Sequence, residues 1–486
     1  MIDNNKFSKV FLCSFICSVI IYGYELTHFT LSIDEEFFDN FYQTVSLGRW
    51  GHAFLRWYIL PEPFAPFFTT LVSLLFFSLS TTLVTYIYNL STKDSCIMAA
   101  LCMSVPQFAY QLDFANQSDT VSIGMLLSVI SALAFVKYVD KGIIKGCVLS
   151  IVAYVFSISI YQSLAILPIT IILGWCLYSV LERNASNAYI IKRLISFACI
   201  SLASVIIYSI LTLLIQNITG AHATSYASSM FKWSRGFDKA LFDTLAAIKS
   251  YFTFSAYYGL SVYSLVIIPF FAIIIKSIKD KKYTMLPSSI FLLVALMLSP
   301  FFMLAVFGFN QPPRTMTSLG FSFALISIIA VRYIKSDFLK VLLPVILVIY
   351  SCSIASQLFH SDFMSEQSDR YYAGRVMSDV YRKYPDFNPK LTPVYFYGMI
   401  NKKNPWKMPN SDIFGESFFS WDGGNNARMI AYIKMSGIGE LERLDKTRVK
   451  EAREYASSMD VWPKEGSIVR KNGIMVVKLG GNPGIN

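Results

Sequence analysis

Apolar residues in this chain come in long unbroken runs, without the alternation or narrow stripes of a soluble domain. A run of about 18 or more such residues marks a membrane helix, because roughly 20 residues cross the hydrocarbon. Eleven segments of this kind can be laid out, at residues 9–28, 64–90, 96–112, 119–137, 146–161, 163–181, 194–215, 259–276, 286–307, 315–332 and 340–359. The break at Tyr161 and Gln162 is so short that the pair around it could instead be one re-entrant hairpin. The first run lacks a small-x-small cleavage pattern between Glu25 and Phe29, so it reads as a retained helix and not as a signal peptide.

Three polar stretches are more than turns. Residues 29–63 hold a short amphipathic helix after Asp34, then "SLGRWG", then "LPEPFAP". In residues 216–258, Phe231, Trp233, Phe237, Leu241 and Phe242 interleave with Lys232, Arg235 and Lys239, the pattern of a helix lying in the membrane interface. The third stretch is the tail, where the periodicity changes. "DRYYAGRVMSDVYRKY", "NNARMIAYIKMSG" and "TRVKEAREYASSM" have helical spacing, and Gly437 stops the second of them. "TPVYFYG" reads as a strand, and "SIVRKNGIMVVKLG" as a hairpin around Asn472–Gly473. The final "GGNPGIN" reads as frayed. The expected architecture is therefore an α-helical polytopic membrane protein of about 11 spans over residues 1–360. Its external loops are 29–63 and 216–258, and a small α/β domain follows at 361–486.

Composition agrees with this reading. The chain is 54% hydrophobic and 15% charged, against roughly 25% charged residues in soluble domains; its mean hydropathy is +0.49. Short-loop Lys and Arg collect on the cytoplasmic side of a membrane. With the N-terminus inside, 16 of the 42 basic residues fall in inside loops, 7 in outside loops and 19 in the tail. An odd number of spans then puts the tail outside. The net charge of +11 is mostly this bias plus the tail, and does not point to nucleic acid. All eight cysteines lie in or at the ends of spans, with no CxxC and no Cys/His cluster, so they read as packing residues and a structural zinc site is not expected.

Candidate chemistry begins in "LSIDEEFFDNFYQTVSLGRWG", where Asp34, Glu35, Glu36 and Asp39 follow the first span. The plain alternative is that they mark the outer end of a helix. Carboxylates beside a low-dielectric region, however, have a tunable affinity for protons, as a general base requires. Other outside loops can bring polar groups to the same depth: Asp113, Asn116, Gln117 and Asp119, then Tyr161 and Gln162, then Asn310 and Gln311. Trp233 on the interfacial stretch joins them as a candidate substrate contact. Such a cavity, polar at the bottom and apolar at the sides, suits a substrate with a lipid tail and a polar head. Arg49, Arg56 and Arg314 are the outside arginines nearest the spans, and the guanidinium fork binds two phosphate oxygens at once. Arg314, fixed in "QPPR", is the strongest candidate. Attack of an acceptor hydroxyl on C1 of a sugar linked to a lipid phosphate needs one base and one cation, with a metal optional.

The residues "SIDEEF", "GRWG", "YQS", "QPPR" and the ending "VWPKEGSIVRKNGIMVVKL" resemble the O-antigen serotype-converting glucosyltransferase (type II) family, a GT-C-like group. The resemblance extends over essentially the whole chain. It implies a bacterial inner-membrane enzyme with a periplasmic C-terminal domain and an undecaprenyl-phosphate glucose donor. That donor would be made inside by a bactoprenol glucosyltransferase and moved across by a flippase. The acceptor would be a rhamnose of lipid-linked O-antigen, with inversion at C1 and no required cofactor, a divalent cation being optional. The family's acidic motif falls on Asp34, as base, and Glu35, which would orient the acceptor or share that role; Glu36 would face water. The resemblance also gives the tail the acceptor to hold. Trp406, Trp421 and Trp462 would stack on sugars, or pack the tail's own core. Three other readings compete: a flippase or polysaccharide transporter, which would favour internal repeats and midplane charges; an O-antigen polymerase or ligase, which would carry a large arginine-rich external loop between late spans; and a non-catalytic membrane scaffold.

Overall fold

The computed structural model describes residues 3–37, 40–60, 62–138, 142–222 and 231–485; Asp39, Lys141 and the side chain of Arg235 fall outside that description. The fold is mostly helical. Among the described residues, eight helices are long and apolar enough to cross a membrane: Asn4–Tyr22, Pro66–Tyr88, Ala115–Tyr138, Gln162–Arg183, Asn187–Thr219, Leu260–Lys279, Tyr283–Phe307 and Asp337–Lys383. Thr92–Met103 and Pro106–Leu112, bent by 45°, make a ninth if they count as one span. Ile144–Ile160 and Leu319–Val331 are shorter apolar helices. At 1.5 Å per residue they reach about 26 and 20 Å, short of the roughly 30 Å hydrocarbon core. All eleven apolar segments are thus helical, and eight or nine meet the length needed to cross.

The chain divides into two compact units, Met1–Thr27 with Asp39–Ser356, and His28–Phe38 with Gln357–Asn486. This changes the expected organisation at one point. The acidic segment was expected to belong to the membrane module; it folds with the C-terminal residues.

In the first unit, small hydroxyl residues line the seams between helices. Ser18 and Ser78 hydroxyls lie 3.2 Å apart, Ser128 and Ser157 2.7 Å, and Ser131 and Ser150 3.1 Å. Between apolar helices in lipid, such side chains permit close backbone approach and satisfy one another's polarity. Gly320 serves the same end, since a Cβ there would stand 2.5 Å from the Cys102 carbonyl oxygen. Asp3, Ser91 and Ser186 cap their helices by accepting backbone N–H groups. The interfacial stretch forms the helix Phe237–Ser250. Its Ala240, Thr244 and Ala247 are buried, while Phe237, Phe242 and Leu245 are exposed, as expected for a helix resting in lipid.

The helix Asp337–Lys383 is one element of 47 residues. The sequence suggested two, a span at 340–359 and a separate tail helix. No Gly or Pro lies between Pro344 and Gly374, so nothing stops it when the apolar run ends. About 70 Å long, it exceeds any hydrocarbon thickness, and its polar second half belongs to the second unit.

That unit holds a three-stranded sheet in the order β1 (Val394–Tyr397), β3 (Ile474–Lys478), β2 (Ile468–Lys471). β1 runs parallel to β3, and β2 antiparallel to it. The β2–β3 hairpin turns at Asn472 and Gly473, both with positive φ, as a two-residue primed turn requires. Tyr395, Leu444, Val449, Ala452, Ala456, Ile474 and Val476 form a core between the sheet and the helix Val449–Ser457. The helix Asn426–Met435 ends two residues before Gly437, where φ turns positive.

Candidate active site

The acidic turn is built in the second unit. Its backbone N–H groups are held by its own carboxylates: Glu35 accepts from the Ser32 N–H at 3.0 Å, and Glu36 from the Asp34 N–H at 2.8 Å. Asp34 sits at φ +83°, a left-handed conformation that few non-glycine residues adopt and that Asp tolerates better than most. The turn is anchored upstream as well. The Thr30 and Ser32 hydroxyls donate to one oxygen of Asp362, at 2.6 and 3.3 Å, and the Gly415 N–H donates to its other oxygen.

A guanidinium reaches the turn. Arg428, in the first helical turn of Asn426–Met435, gives Nη2 to Asp34 at 2.8 Å, Nη1 to Glu36 and Nε to Asp422 at 3.2 Å. The three carboxylates differ in exposure. The Asp34 side chain is 54% exposed, while that of Glu36 is fully buried. Burial pushes the Glu36 carboxyl above the usual carboxylate range, with Arg428 pulling against that rise. Glu36 therefore does not face water, as the sequence suggested. Glu35 is buried too and engaged with its own turn. Among Asp34, Glu35 and Glu36, Asp34 alone presents a carboxylate to solvent. Sequence reasoning missed Arg428, which no motif marks.

In the first unit, several polar loops do converge. Gln107 donates to the Pro313 carbonyl at 3.1 Å, Thr317 to the Ser163 carbonyl at 3.2 Å, and the Arg314 guanidinium lies 4.2 Å from the Phe114 ring centre. The loops bearing Asp113, Asn116 and Gln117, Tyr161 and Gln162, and Asn310, Gln311 and Arg314 thus lie close together. Asp113 and Gln311 are buried, Asn116 and Gln117 half-buried. Asn310 is exposed and donates to the Tyr257 hydroxyl at 3.4 Å.

Arg49 stands apart from these by its setting. Its guanidinium lies 4.7 Å from the Tyr161 ring centre, and its Nε donates to Gln162 at 3.4 Å. Gln162 in turn donates to the Leu47 carbonyl and the Tyr208 hydroxyl, tying the loop before the helix Trp50–Tyr58 to the helix Asn187–Thr219. Among the described residues no carboxylate pairs with Arg49. An open groove of 380 Å³ runs beside this helix, walled by Phe41, Trp50, Phe54, Tyr58, Phe156 and Ile215.

Two candidates are placed otherwise than expected. Arg56 is 1% exposed and ion-paired to buried Asp119 and, at 3.1 Å, to Glu62. A guanidinium already neutralised by two carboxylates is not open to a phosphate. Trp233 donates its indole N–H to the Ala305 and Val306 carbonyls, at 3.0 and 3.1 Å, which seats it against the helix Phe302–Phe307. In the second unit, Trp462 donates to Asp379 at 3.0 Å and Trp421 is half-buried, whereas Trp406 is 47% exposed with His360 edge-on at 4.8 Å.

A bundle of membrane-length helices with polar loops gathered around arginines defines the first unit as that of a membrane protein; in the second unit the acidic turn carries the half-exposed Asp34 carboxylate. Over residues 23–334 the chain matches the family described as glucosyl transferase GtrII, and it belongs to that family. It is a glucosyltransferase by family. The match takes in the acidic turn and the polar loops, and stops short of the 47-residue helix and the sheet. No curated protein matches the chain.

Proposed function

We propose that this chain transfers glucose from undecaprenyl-phosphate glucose to a rhamnose of lipid-linked O-antigen, inverting C1, on the periplasmic side of the bacterial inner membrane. The observation that carries this reading is the Asp34 carboxylate, half in solvent and fixed by Arg428, in a chain of a glucosyltransferase family. An acceptor hydroxyl attacks C1 as the bond from C1 to the phosphate oxygen breaks. The hydroxyl proton goes to Asp34, and the electron pair of the broken bond goes to the lipid phosphate. A single displacement of this kind inverts the anomeric centre. Arg49 and Arg314 suit the phosphate, because both guanidinium groups lie against aromatic rings in half-buried loops of the membrane unit. The apolar groove beside the helix Trp50–Tyr58 supports a substrate with a lipid chain. Glu35 and Glu36 hold the turn. The reaction as written uses no metal. The charge bias of the loops supports a cytoplasmic N-terminus, and counting all eleven apolar segments as spans puts the second unit in the periplasm; the GT-C-like architecture is what the family resemblance implies. A bactoprenol glucosyltransferase and a flippase would supply the donor from the inside.

The test uses detergent-purified full-length protein with undecaprenyl-phosphate glucose and lipid-linked O-antigen, with added glucose followed by mass spectrometry. Asp34→Asn should lower transfer by at least about 100-fold, in the range expected for a general base, at an unchanged melting temperature, and chelator should leave wild-type transfer intact. Full transfer by Asp34→Asn removes Asp34 as the base. No transfer by wild type with any lipid-linked sugar removes the donor assignment and returns the transporter and polymerase readings to consideration.

A further inference from the structure

We infer that Arg428 is a positioning residue for transfer: it acts through Asp34, holding that carboxylate in the one orientation from which it can take the acceptor's proton. The inference rests on the proposed role of Asp34 and adds a residue that lies beyond the family match.

Three features support it. The first is stoichiometry. The guanidinium spends Nη2 on Asp34, Nη1 on Glu36 and Nε on Asp422, so all three nitrogens have separate acceptors and its plane is fixed. A planar fork with donors in set directions can do this; a lysine ammonium cannot reach three acceptors spread in that way.

The second is strain. Asp34 is held at φ +83°, and a residue in a sparsely populated conformation persists only where its surroundings over-determine it. Two contacts do that here, Glu36 on its N–H and Arg428 on its carboxylate, and both run through the same guanidinium.

The third is the mount. Arg428 follows Asn425, whose side chain caps the helix by accepting from the Ala427 and Arg428 N–H groups at 3.1 and 3.3 Å. Asn426 accepts the Phe396 N–H at 2.9 Å, which ties the same turn to β1. Met429, Tyr432 and Ile433 are buried beneath it. Asn425 also donates to Asp422 at 3.2 Å, so the third acceptor is fixed in turn. A helix start pinned to a sheet thus reaches the acidic turn almost four hundred residues away in the chain. Loose placement of a catalytic group by about 1 Å can cost on the order of 100-fold in rate, which is the scale of effect to look for.

The experiment compares full-length wild type with Arg428→Gln, Arg428→Lys, Asp34→Asn, the double variant Glu36→Gln/Arg428→Gln, and Arg470→Gln. The last is a control that removes an exposed ion pair to Asp386 elsewhere in the unit. Each is assayed for kcat and for KM of the lipid donor, with melting temperature recorded. Arg428→Gln should lose about 100-fold in kcat with donor KM changed less than about threefold. Arg428→Lys, which restores charge but not the fork, should recover only part of it. Should Arg428→Gln fail to fold because Glu36 is left buried and unpaired, the double variant removes that charge, and it should fold yet stay slow. Arg470→Gln should match wild type. Wild-type kcat in Arg428→Gln or in the double variant, with Asp34→Asn inactive, overturns the positioning role and leaves Asp34 as base. Full activity in Asp34→Asn instead overturns the base assignment, and the positioning role with it.

Discussion

Arg56 offers a sharp test of how the membrane unit uses its charges, because sequence and structure assign it different work. As a ligand-binding arginine it would contact donor phosphate. As placed, it is 1% exposed, paired with an Asp119 side chain that is 0% exposed, and bridged at 3.1 Å to the 31% exposed Glu62. Asp119 has one further donor, the Thr120 N–H at 2.7 Å. Arg56→Met would leave the Asp119 carboxylate buried with that single hydrogen bond. Truncating one partner of a buried ion pair costs about 3–5 kcal/mol, whereas replacing both with apolar residues of similar size is close to neutral. At about 2 °C per kcal/mol for a large domain, the single variant should melt some 6–10 °C lower. Arg56→Met/Asp119→Leu should recover most of the loss. Asp119→Leu alone should cost less than Arg56→Met, since Arg56 keeps Glu62. The assay is thermal unfolding of detergent-purified protein, with donor KM measured on whatever folds. If the ion pair is structural, the double variant regains both stability and donor KM. A stable Arg56→Met with a donor KM raised tenfold or more would refute this reasoning and restore Arg56 as a phosphate ligand.

Two further outcomes follow from the second unit and the interfacial helix. Burial raises the Glu36 proton affinity and Arg428 opposes that rise. An acid raised in the folded state penalises folding only once it is charged, so the penalty is absent below the ordinary carboxylate range and complete above the raised folded value. Removing Arg428 takes away the opposing charge, so the stability deficit of Arg428→Ala against wild type should be largest near neutral pH. It should narrow as pH falls towards 4, and denaturant titrations at pH 4 and pH 7 check this. Trp233→Phe loses one indole N–H shared by two carbonyls. It should cost about 1 kcal/mol of stability and leave the identity of the glucosylated sugar unchanged, read by thermal melting and product mass spectrometry.

What could be read from the sequence divides along a physical line. Periodic and local signals survived: apolar runs became helices, and Asn472–Gly473 turned the hairpin it advertised. The 47-residue helix reads as two in the sequence because its apolar run ends near residue 359, but a change in hydropathy is not itself a helix stop. Within the first unit the loops near Phe114, Ser163 and Arg314 touch one another, since short turns between packed helices leave them little freedom. Charge pairing was not legible at all. Arg56 looked like a ligand group because its partner lies in a later helix. Glu36 looked solvated because its partner, Arg428, sits on another element of the second unit. A carboxylate reads the same in a string of letters whether water or a guanidinium completes it. Its chemistry differs between the two cases by the whole of its desolvation. In this chain the acidic motif consists of three neighbours with three environments, and only the environments show that two of them brace the third.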